Sequence, residues 1–285
     1  MNLLSSLPGA AAQGIIWGIM AIGVFITFRI LDFADLTVDG SICTGAAVCT
    51  MLMISGVNTW VAILCALLAG ALAGILTQMV LWTANLKILG KANQVLSARS
   101  ADVLLSQMDI SSALIVLVIF AAVSVAALYL FFGTELGCAI RATGSNPVMS
   151  RAQGINTNTT KVIALAISNG FVALSGALLC QYQGYADVNM GRGAIVIGLA
   201  AVVIGEAVVS KLPPNFAIKL VGVTVGAVIY YLVYQTIIFI GFDTDMLKMF
   251  SAVVVAVFLG IPYLKEKLSQ KRGASKGGAA NVRNS

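Results

Sequence analysis

The chain has 285 residues, of which 59% are hydrophobic and only 10% charged, and its mean hydropathy is +0.98. Because soluble domains carry about one quarter charged residues, this composition indicates an integral membrane protein, and the absence of histidine excludes histidine-based catalysis and every metal site that needs an imidazole. The net charge of +6 comes almost entirely from the tail after residue 264, which has six Lys and Arg residues against one Glu, so it does not indicate nucleic-acid binding.

Eight apolar stretches approach the roughly 20 residues that a helix needs to cross about 30 Å of hydrocarbon. They are residues 13–28, 41–55, 60–82, 110–132, 162–182, 193–209, 217–240 and 246–263. The second stretch is short and polar at its start, so the segment 33–55 is predicted to be a broken or re-entrant helix. Glycine pairs four residues apart, such as Gly70 and Gly74, let helices approach closely. The sequence therefore predicts an all-α polytopic transmembrane bundle of about eight spans.

Basic residues between the spans predict which loops face the cytoplasm. The loop 133–161 carries Arg141, Arg151 and Lys161, and the tail 263–285 carries the basic cluster, so both are expected to be cytoplasmic. The tail is rich in Gly, Ser and Lys and is predicted to be disordered. We therefore expect one transmembrane domain, residues 1–262, followed by a C-terminal cytoplasmic tail.

The first unusual segment is Asp32 to Ser41, which places three carboxylates around Thr37 at the junction of two spans. Acidic side chains this close to hydrocarbon are costly and usually face a cavity or a partner. One interpretation is a gate or cavity lining in which Asp35, Thr37 and Asp39 hydrogen-bond a polar solute. The other is a solvated turn in which Asp39 or Ser41 caps the second helix.

The second unusual segment is the loop from Gly137 to Ile155. It is predicted to form a short helix over 136–142, a Gly-Ser-Asn-Pro turn, and another short helix that starts at Pro147 and stops at Gly154. Apolar residues lie among its basic residues, which suits helices that dock into a groove of a partner. The alternative is a helix pair that lies on anionic membrane lipid and is attracted through its arginines.

Two further charged residues lie in or beside predicted spans. Glu206 is either part of a proton or cation relay or an ordinary acid paired near the cytoplasmic end of its span. Arg192, at the edge of a span, is interpreted as a residue whose long side chain reaches the interface.

The segment 137–155, followed by Lys161, the small-residue stretch 164–176 and Gly198 to Glu206, resembles the permease subunits of bacterial branched-chain amino acid ABC importers. Members of that family carry a similar R-A-T-G-x-N-x-x-x-[SA]-x-x-x-G-I segment. The stretches 34–41 and 86–94 resemble a branch associated with binding proteins for aromatic amino acids. Relative to that branch, one helix-turn unit is missing between Gly74 and Ile75.

This resemblance implies a half-transporter in the bacterial cytoplasmic (inner) membrane. Two permease copies, or this chain and a sister permease, would form the path. A separate ATP-binding subunit would bind ATP, so the permease itself needs no cofactor, metal or catalytic residue. A periplasmic or lipoprotein substrate-binding protein would deliver the amino acid. The resemblance also implies roles for ten residues: Asp35, Thr37 and Asp39 in the path or gate, and Arg141, Thr143, Gly144, Asn146, Met149, Arg151 and Gly154 in coupling to the ATPase.

An ion-coupled secondary carrier for a small polar solute is the alternative function. In such a protein Asp35, Asp39 or Glu206 would be the coupling site, at the interface of weak inverted repeats. The two functions differ in their energy source, because only the importer depends directly on ATP.

Overall fold

The computed structural model describes residues 3–74, 76, 78–96, 103–210, 213 and 215–240. The helices are α1 (Leu3–Phe25), α2 (Val38–Ile54), α3 (Thr59–Ala73), α4 (Gln78–Leu89), α5 (Ile110–Phe132), α6 (Glu135–Ser145), α7 (Pro147–Ala152), α8 (Thr157–Gln183), α9 (Ala194–Val209) and α10 (Phe216–Phe239). A π-helical turn, Ile26–Ile30, continues α1, and two short strands, β1 (Asn93–Val95) and β2 (Tyr185–Asp187), pair antiparallel. The predicted all-α polytopic bundle is confirmed.

Apolar helices of membrane-spanning length form most of the bundle. Within the described residues, four segments are long and apolar enough to cross a membrane: Ser6–Ile30, Ile110–Phe132, Thr157–Gln183 and Phe216–Phe239. Helices α2, α3 and α9 are apolar but shorter. The predicted span 246–263 and the predicted tail 263–285 lie outside the described residues.

The prediction of one continuous span over residues 60–82 is wrong. Helix α3 ends at Ala73, and α4 begins only at Gln78. Gly74 stands at the end of α3, and the side-chain amide of Asn169 on α8 occupies the place where a Cβ of Gly74 would lie. The break falls where the family resemblance implies a missing helix-turn unit.

Helices α1 and α8 lie antiparallel at the centre of the bundle. Three side chains of α8 donate hydrogen bonds to backbone carbonyls of the N-terminal helix: Ser168 to Gly23 (2.7 Å), Ser175 to Ile16 (2.8 Å) and Tyr182 to Gly9 (3.4 Å). Helices α2 and α3 pack on the other side of α8, and α9 and α10 pack on α1. Hydrogen bonds and close contacts of this kind hold helices together where lipid provides no hydrophobic driving force.

Glycines set the closest approaches between helices, and one of them supports a stability prediction. A Cβ added at Gly176 of α8 would overlap the carbonyl of Ile42 on α2, whereas one at Gly170 would make only ordinary contacts with Leu67 and Ala71. Gly176→Ala should therefore lower the free energy of unfolding by about 1–3 kcal/mol. Gly170→Ala is the matched control and should be neutral or slightly stabilising, because alanine favours helix. Thermal unfolding in mild detergent would measure both; equal losses would contradict this packing.

Candidate functional site

The chain is unwound between the π-helical turn and α2. Asp32 begins this segment with a left-handed backbone (φ +52°), which few non-glycine residues adopt, and residues 33–37 are extended or irregular until α2 starts at Val38. Residues 38–54 form one continuous helix, so of the broken or re-entrant helix predicted over 33–55 the structure shows only an unwound start, residues 33–37. Such a backbone is tolerated at membrane depth because protein groups bind its polar atoms.

Asp35 anchors the unwound segment to the middle of α8. Its side chain is only 2% exposed. One carboxylate oxygen accepts hydrogen bonds from the backbone N–H (2.9 Å) and the hydroxyl (2.6 Å) of Thr37, and the other accepts one from the Asn169 side-chain amide (2.7 Å). Asn169 also donates to the Leu165 carbonyl (3.1 Å). Asp35 and Thr37 thus form a buried polar network with α8, and all of the donors to the carboxylate are neutral.

Asp39 lies in the first turn of α2, but its side chain caps α9. Thr37 is the residue that precedes α2, so the interpretation that Asp39 or Ser41 caps the second helix is wrong. The Asp39 carboxylate instead accepts hydrogen bonds from the backbone N–H groups of Gly193 (3.1 Å) and Ile195 (3.0 Å) at the start of α9. Gly193 has φ +84°, a left-handed conformation that glycine adopts without strain. Asp39 therefore ties the starts of α2 and α9 together and satisfies two amides that a helix start leaves unpaired.

A cavity of about 420 Å³ lies beside Asp39. It is bounded by the start of α2, by α4 and by the connection from β2 to α9, and its lining comprises Asp39, Gly40, Cys43, Gln78, Met79, Trp82, Asn85, Val188, Asn189 and Arg192. Asn85 is 1% exposed; its amide donates to the Gly40 carbonyl (3.1 Å), while its side-chain oxygen is buried without a hydrogen-bond partner. Arg192 is exposed and forms no ion pair with a described acidic side chain.

The cavity lies within the depth of the bundle. Gly191 packs against the Asp39 carbonyl and Ile42, and Ile42 packs against Gly176 of α8. Gly176 precedes the end of α8 at Gln183 by seven residues, which is roughly 10 Å along the helix. Arg192 follows Gly191 directly and precedes the start of α9 at Ala194 by two residues, so it lies at the start of a predicted span, as the sequence interpretation had it. Neither Arg192 nor Asn85 was predicted as a site residue; the only signal for Asn85 was that polar residues alternate with apolar ones over 85–94.

At the opposite end of α8 the predicted helix pair is present. The first helix, α6, runs three residues beyond its predicted end, and Asn146 separates it from α7. The Asn146 side-chain oxygen accepts hydrogen bonds from the N–H groups of Val148 and Met149 (3.1 Å each), and Pro147 occupies the first turn. Gly154 (φ +81°) follows the end of α7, in agreement with the predicted stop.

The seven candidate coupling residues divide into two sets. Thr143 is buried and shares a hydrogen bond (3.1 Å) with Thr160, and Gly144 packs on the carbonyl of Ile30. The remaining five, Arg141, Asn146, Met149, Arg151 and Gly154, are exposed. The first set fixes the helix pair to the bundle and the second leaves a surface on which another protein can dock.

Two arginines of the exposed set also hold the helix pair in place. Arg141 donates to the Phe132 carbonyl (2.8 Å), and its guanidinium lies 5.8 Å from the ring centroid of Phe216. Arg151 donates to the Thr157 hydroxyl (2.7 Å) at the start of α8. The side chain of Met149, by contrast, is 60% exposed, and that of its neighbour Val148 is 75% exposed.

Glu206, the acid inside a predicted span, is paired. Its carboxylate accepts a hydrogen bond from Arg29 Nε at 2.7 Å, and both side chains are partly exposed. The pairing that one interpretation of Glu206 predicts is thus observed. Because Arg29 precedes Ile30, which packs on Gly144, the ion pair lies at the same end of the bundle as α6 and α7.

Comparisons with known proteins agree with this architecture. The family described as "Branched-chain amino acid transport system / permease component" matches residues 79–261. The tyrosine transport system permease protein of Clostridioides difficile (strain R20291) is 33% identical over 285 aligned residues, covering 94% of this chain and 95% of that protein. An uncharacterised protein of Rickettsia prowazekii (strain Madrid E) is 30% identical, covering 91% and 97%. The ribose import permease protein of Escherichia coli (strain K12) is 28% identical, covering 47% of this chain and 40% of its own length. No solved structure matches.

The family match covers more than half of the chain, and the first two relatives align along nearly their whole length. The chain therefore belongs to this family of ABC transporter permeases, and it is a multi-pass membrane protein that is not itself an enzyme.

Proposed function

We propose that the chain is the membrane-spanning permease of an ABC importer for an amino acid, either branched-chain or aromatic. An external binding protein delivers the amino acid, and a separate ATPase subunit drives transport. The observation that carries this proposal is the alignment with a tyrosine transport permease over 94% of the chain. The ribose permease aligns over 47% only, so the likeness to the sugar permease does not extend to the whole chain.

The helix pair α6–α7 is the proposed coupling element. Val148 and Met149 present apolar side chains to solvent at one end of the bundle, beside Asn146, Arg151 and Gly154. Exposed apolar side chains on a short, well-capped helix suit insertion into a groove of a partner protein. Thr143, Gly144 and Arg141 support that surface from behind, because each contacts the bundle.

The unwound segment before α2 is the proposed gate. Asp35 and Thr37 join it to α8, while Asp39 joins the start of α2 to the start of α9. A movement of α9 would therefore be transmitted to α2 through the Asp39 carboxylate. A second permease copy or a sister permease completes the path, and the exposed apolar faces of α3 and α5 are available to that copy or to lipid.

The proposed setting is the bacterial cytoplasmic membrane. The domain of residues 1–262 spans the membrane, and the basic tail 263–285 lies in the cytoplasm with the coupling helices. The basic residues of the loop 133–161 and of the tail support this orientation.

The experiment that tests the function is an uptake assay with its energy source controlled. Cells that express the complete importer should accumulate the amino acid in the presence of a protonophore as long as ATP is supplied, and uptake should stop when ATP is depleted. Uptake that is abolished by the protonophore at normal ATP would instead support the ion-coupled carrier.

A variant at Glu206 also distinguishes the ABC importer from the ion-coupled carrier. Glu206→Gln removes the ion pair with Arg29, and partly exposed pairs of this kind contribute about 0–1 kcal/mol. We therefore expect the uptake rate to stay within about twofold of the wild-type rate. Loss of uptake with a normal amount of folded protein in the membrane would identify Glu206 as a coupling acid and contradict the importer mechanism.

A further inference from the structure

We propose that the groove between α5 and α10 binds one acyl chain of an anionic phospholipid, with the lipid phosphate at Arg141. The groove has a volume of about 450 Å³, and α1 contributes Ile15 to its lining. A lipid bound there connects the helix pair α6–α7 to α5 and α10, because Arg141 belongs to α6. The site does not depend on which solute the permease transports.

The walls of the groove are apolar faces of two helices. On α5 the lining residues recur every one to four positions from Val118 to Tyr129, and on α10 they do so from Ala217 to Val225. Such spacing places them on one face of each helix. Thr224 is the polar residue of the α10 wall, and its hydroxyl donates to a backbone carbonyl of its own helix (3.3 Å). The wall of α10 therefore suits hydrocarbon.

The length of the groove matches one acyl chain. Val118 and Tyr129 are 11 residues apart on α5, which corresponds to roughly 16 Å along the helix. One leaflet contributes about half of the roughly 30 Å of hydrocarbon in a bilayer, so one lipid chain extends over a similar distance. A membrane-spanning helix of another protein needs about 20 residues, or about 30 Å, which is about twice the length of the groove. The groove thus fits a lipid chain better than a partner helix.

A cation lies at the end of the groove beside α6. The ring of Phe132, one turn after Tyr129, and the ring of Phe216, directly before Ala217, have centroids 5.0 Å apart and close this end. Arg141 donates to the Phe132 carbonyl (2.8 Å), and its guanidinium lies 5.8 Å from the Phe216 ring centroid. Arg141 is exposed and forms no ion pair with a described acidic side chain. An apolar groove with a positive end complements a hydrocarbon chain with an anionic head group.

The Arg141 guanidinium has donors left for a phosphate. Its hydrogen bonds within the described part of the chain, to the Phe132 carbonyl and the Cys138 sulfur (3.4 Å), both come from Nη2. A guanidinium carries five N–H donors, so the Nε–H group and the Nη1 amino group can donate to phosphate oxygens. Two parallel hydrogen bonds from arginine to phosphate are a strong, charge-assisted contact. The half-exposed Tyr129 hydroxyl is a further donor at this end of the groove.

The first test measures lipid binding to the full chain in its complex with the ATPase subunit, by native mass spectrometry in mild detergent. The probes are palmitoyl-oleoyl phosphatidylglycerol, which is anionic, and palmitoyl-oleoyl phosphatidylcholine, which has the same chains and no net charge. Wild type should bind the first lipid about tenfold more tightly, since only its phosphate lacks a neutralising choline. Arg141→Gln should remove this difference and leave phosphatidylcholine unchanged, and Arg141→Lys should be intermediate. Equal affinities of wild type for the two lipids would overturn the phosphate contact.

A second variant tests the groove without touching Arg141. Val225→Trp places a large ring between α5 and α10, so the affinities for both lipids should fall about tenfold. Val233→Trp is the matched control, because Val233 is exposed on the same helix to nearly the same extent (38% against 40%) but lies outside the lining. It should bind both lipids as wild type does. Unchanged affinities in Val225→Trp, or equal losses in the two variants, would overturn the groove as the site.

Photochemical cross-linking identifies the occupant in the cell membrane. The residue p-benzoylphenylalanine, incorporated in place of Val225, attacks nearby C–H bonds on illumination, and the permease should gain the mass of one phospholipid. A cross-link to residues 246–263 or to a second copy would show that protein fills the groove and would overturn the lipid site. An adduct of the same yield and lipid composition from position 233 would show contact with bulk lipid only, which would also overturn it.

Discussion

Replacing both Val148 and Met149 by aspartate is expected to release the ATPase subunit and reduce amino acid uptake to background. These two side chains are the large exposed apolar residues of α7, at 75% and 60% exposure. A hot-spot contact at the centre of an interface is worth about 2 kcal/mol or more, so losing two such contacts would weaken docking by about 10³-fold. Two carboxylates placed in an apolar groove would weaken it further. The ratio of ATPase to permease after purification measures the effect directly.

The control for this variant is Asn158→Asp. Asn158 is exposed in the first turn of α8, so the substitution adds negative charge at the same end of the bundle without removing an apolar side chain. An acid in the first turn of a helix is favourable for stability. The control should retain the ATPase and transport normally. Retention of the ATPase by the Val148→Asp/Met149→Asp variant would contradict the assignment of α7 to the coupling surface.

Exchanging Asp35 and Asn169 is the second change with a large expected effect. Asp35→Asn alone would place two amide groups against each other across the 2.7 Å contact, and Asn169→Asp alone would place two carboxylates there. Losing a hydrogen bond to a buried charged group costs about 1.5–3 kcal/mol, and more where a buried polar group is left without a partner. Each single variant should therefore lose most of its uptake and much of its thermal stability.

The double variant Asp35→Asn/Asn169→Asp should recover part of both properties, because it restores a carboxylate–amide pair. Recovery should be incomplete, because the carboxylate introduced at position 169 faces the Leu165 carbonyl. In the wild-type protein that carbonyl accepts a hydrogen bond from the Asn169 amide. Thr37→Ser keeps the hydroxyl that donates to Asp35 and serves as the mild control. Strictly additive losses in the double variant would show that the two side chains do not interact.

The helix content and the coupling helices were predictable because their signals are local. Runs of apolar residues long enough to cross a bilayer define most of the helices, and Asn146, Pro147 and Gly154 mark the ends of α6 and α7 through capping and backbone preference. The unwound segment before α2 was also predictable, because acidic residues next to an apolar span need a non-lipid environment.

The interior of the site was not predictable because it depends on contacts between distant segments. Asp39 caps α9, which lies about 150 residues further along the chain, and a local capping rule assigned it to α2. Gly74 ends α3 where Asn169 packs against it, although the apolar run continues beyond that residue.

The coupling surface depends both on local sequence signals and on contacts between distant segments. Sequence spacing predicted two short helices, and the family resemblance implied a set of seven residues, but neither indicated how those residues are oriented. Thr143 contacts Thr160, and Gly144 contacts Ile30. These two residues therefore hold the helix pair against the bundle and do not belong to its exposed surface. Val148 was not among the candidates, although it is the most exposed apolar residue of α7.

The central claim, that the chain works as the permease of an ABC importer, is tested most directly by purifying it from its native membrane in mild detergent and identifying its companions by quantitative mass spectrometry. The account predicts that an ATP-binding subunit accompanies the permease in about equal amount, and that Val148→Asp/Met149→Asp removes it. A permease that emerges alone and monodisperse while it still supports uptake would contradict the account.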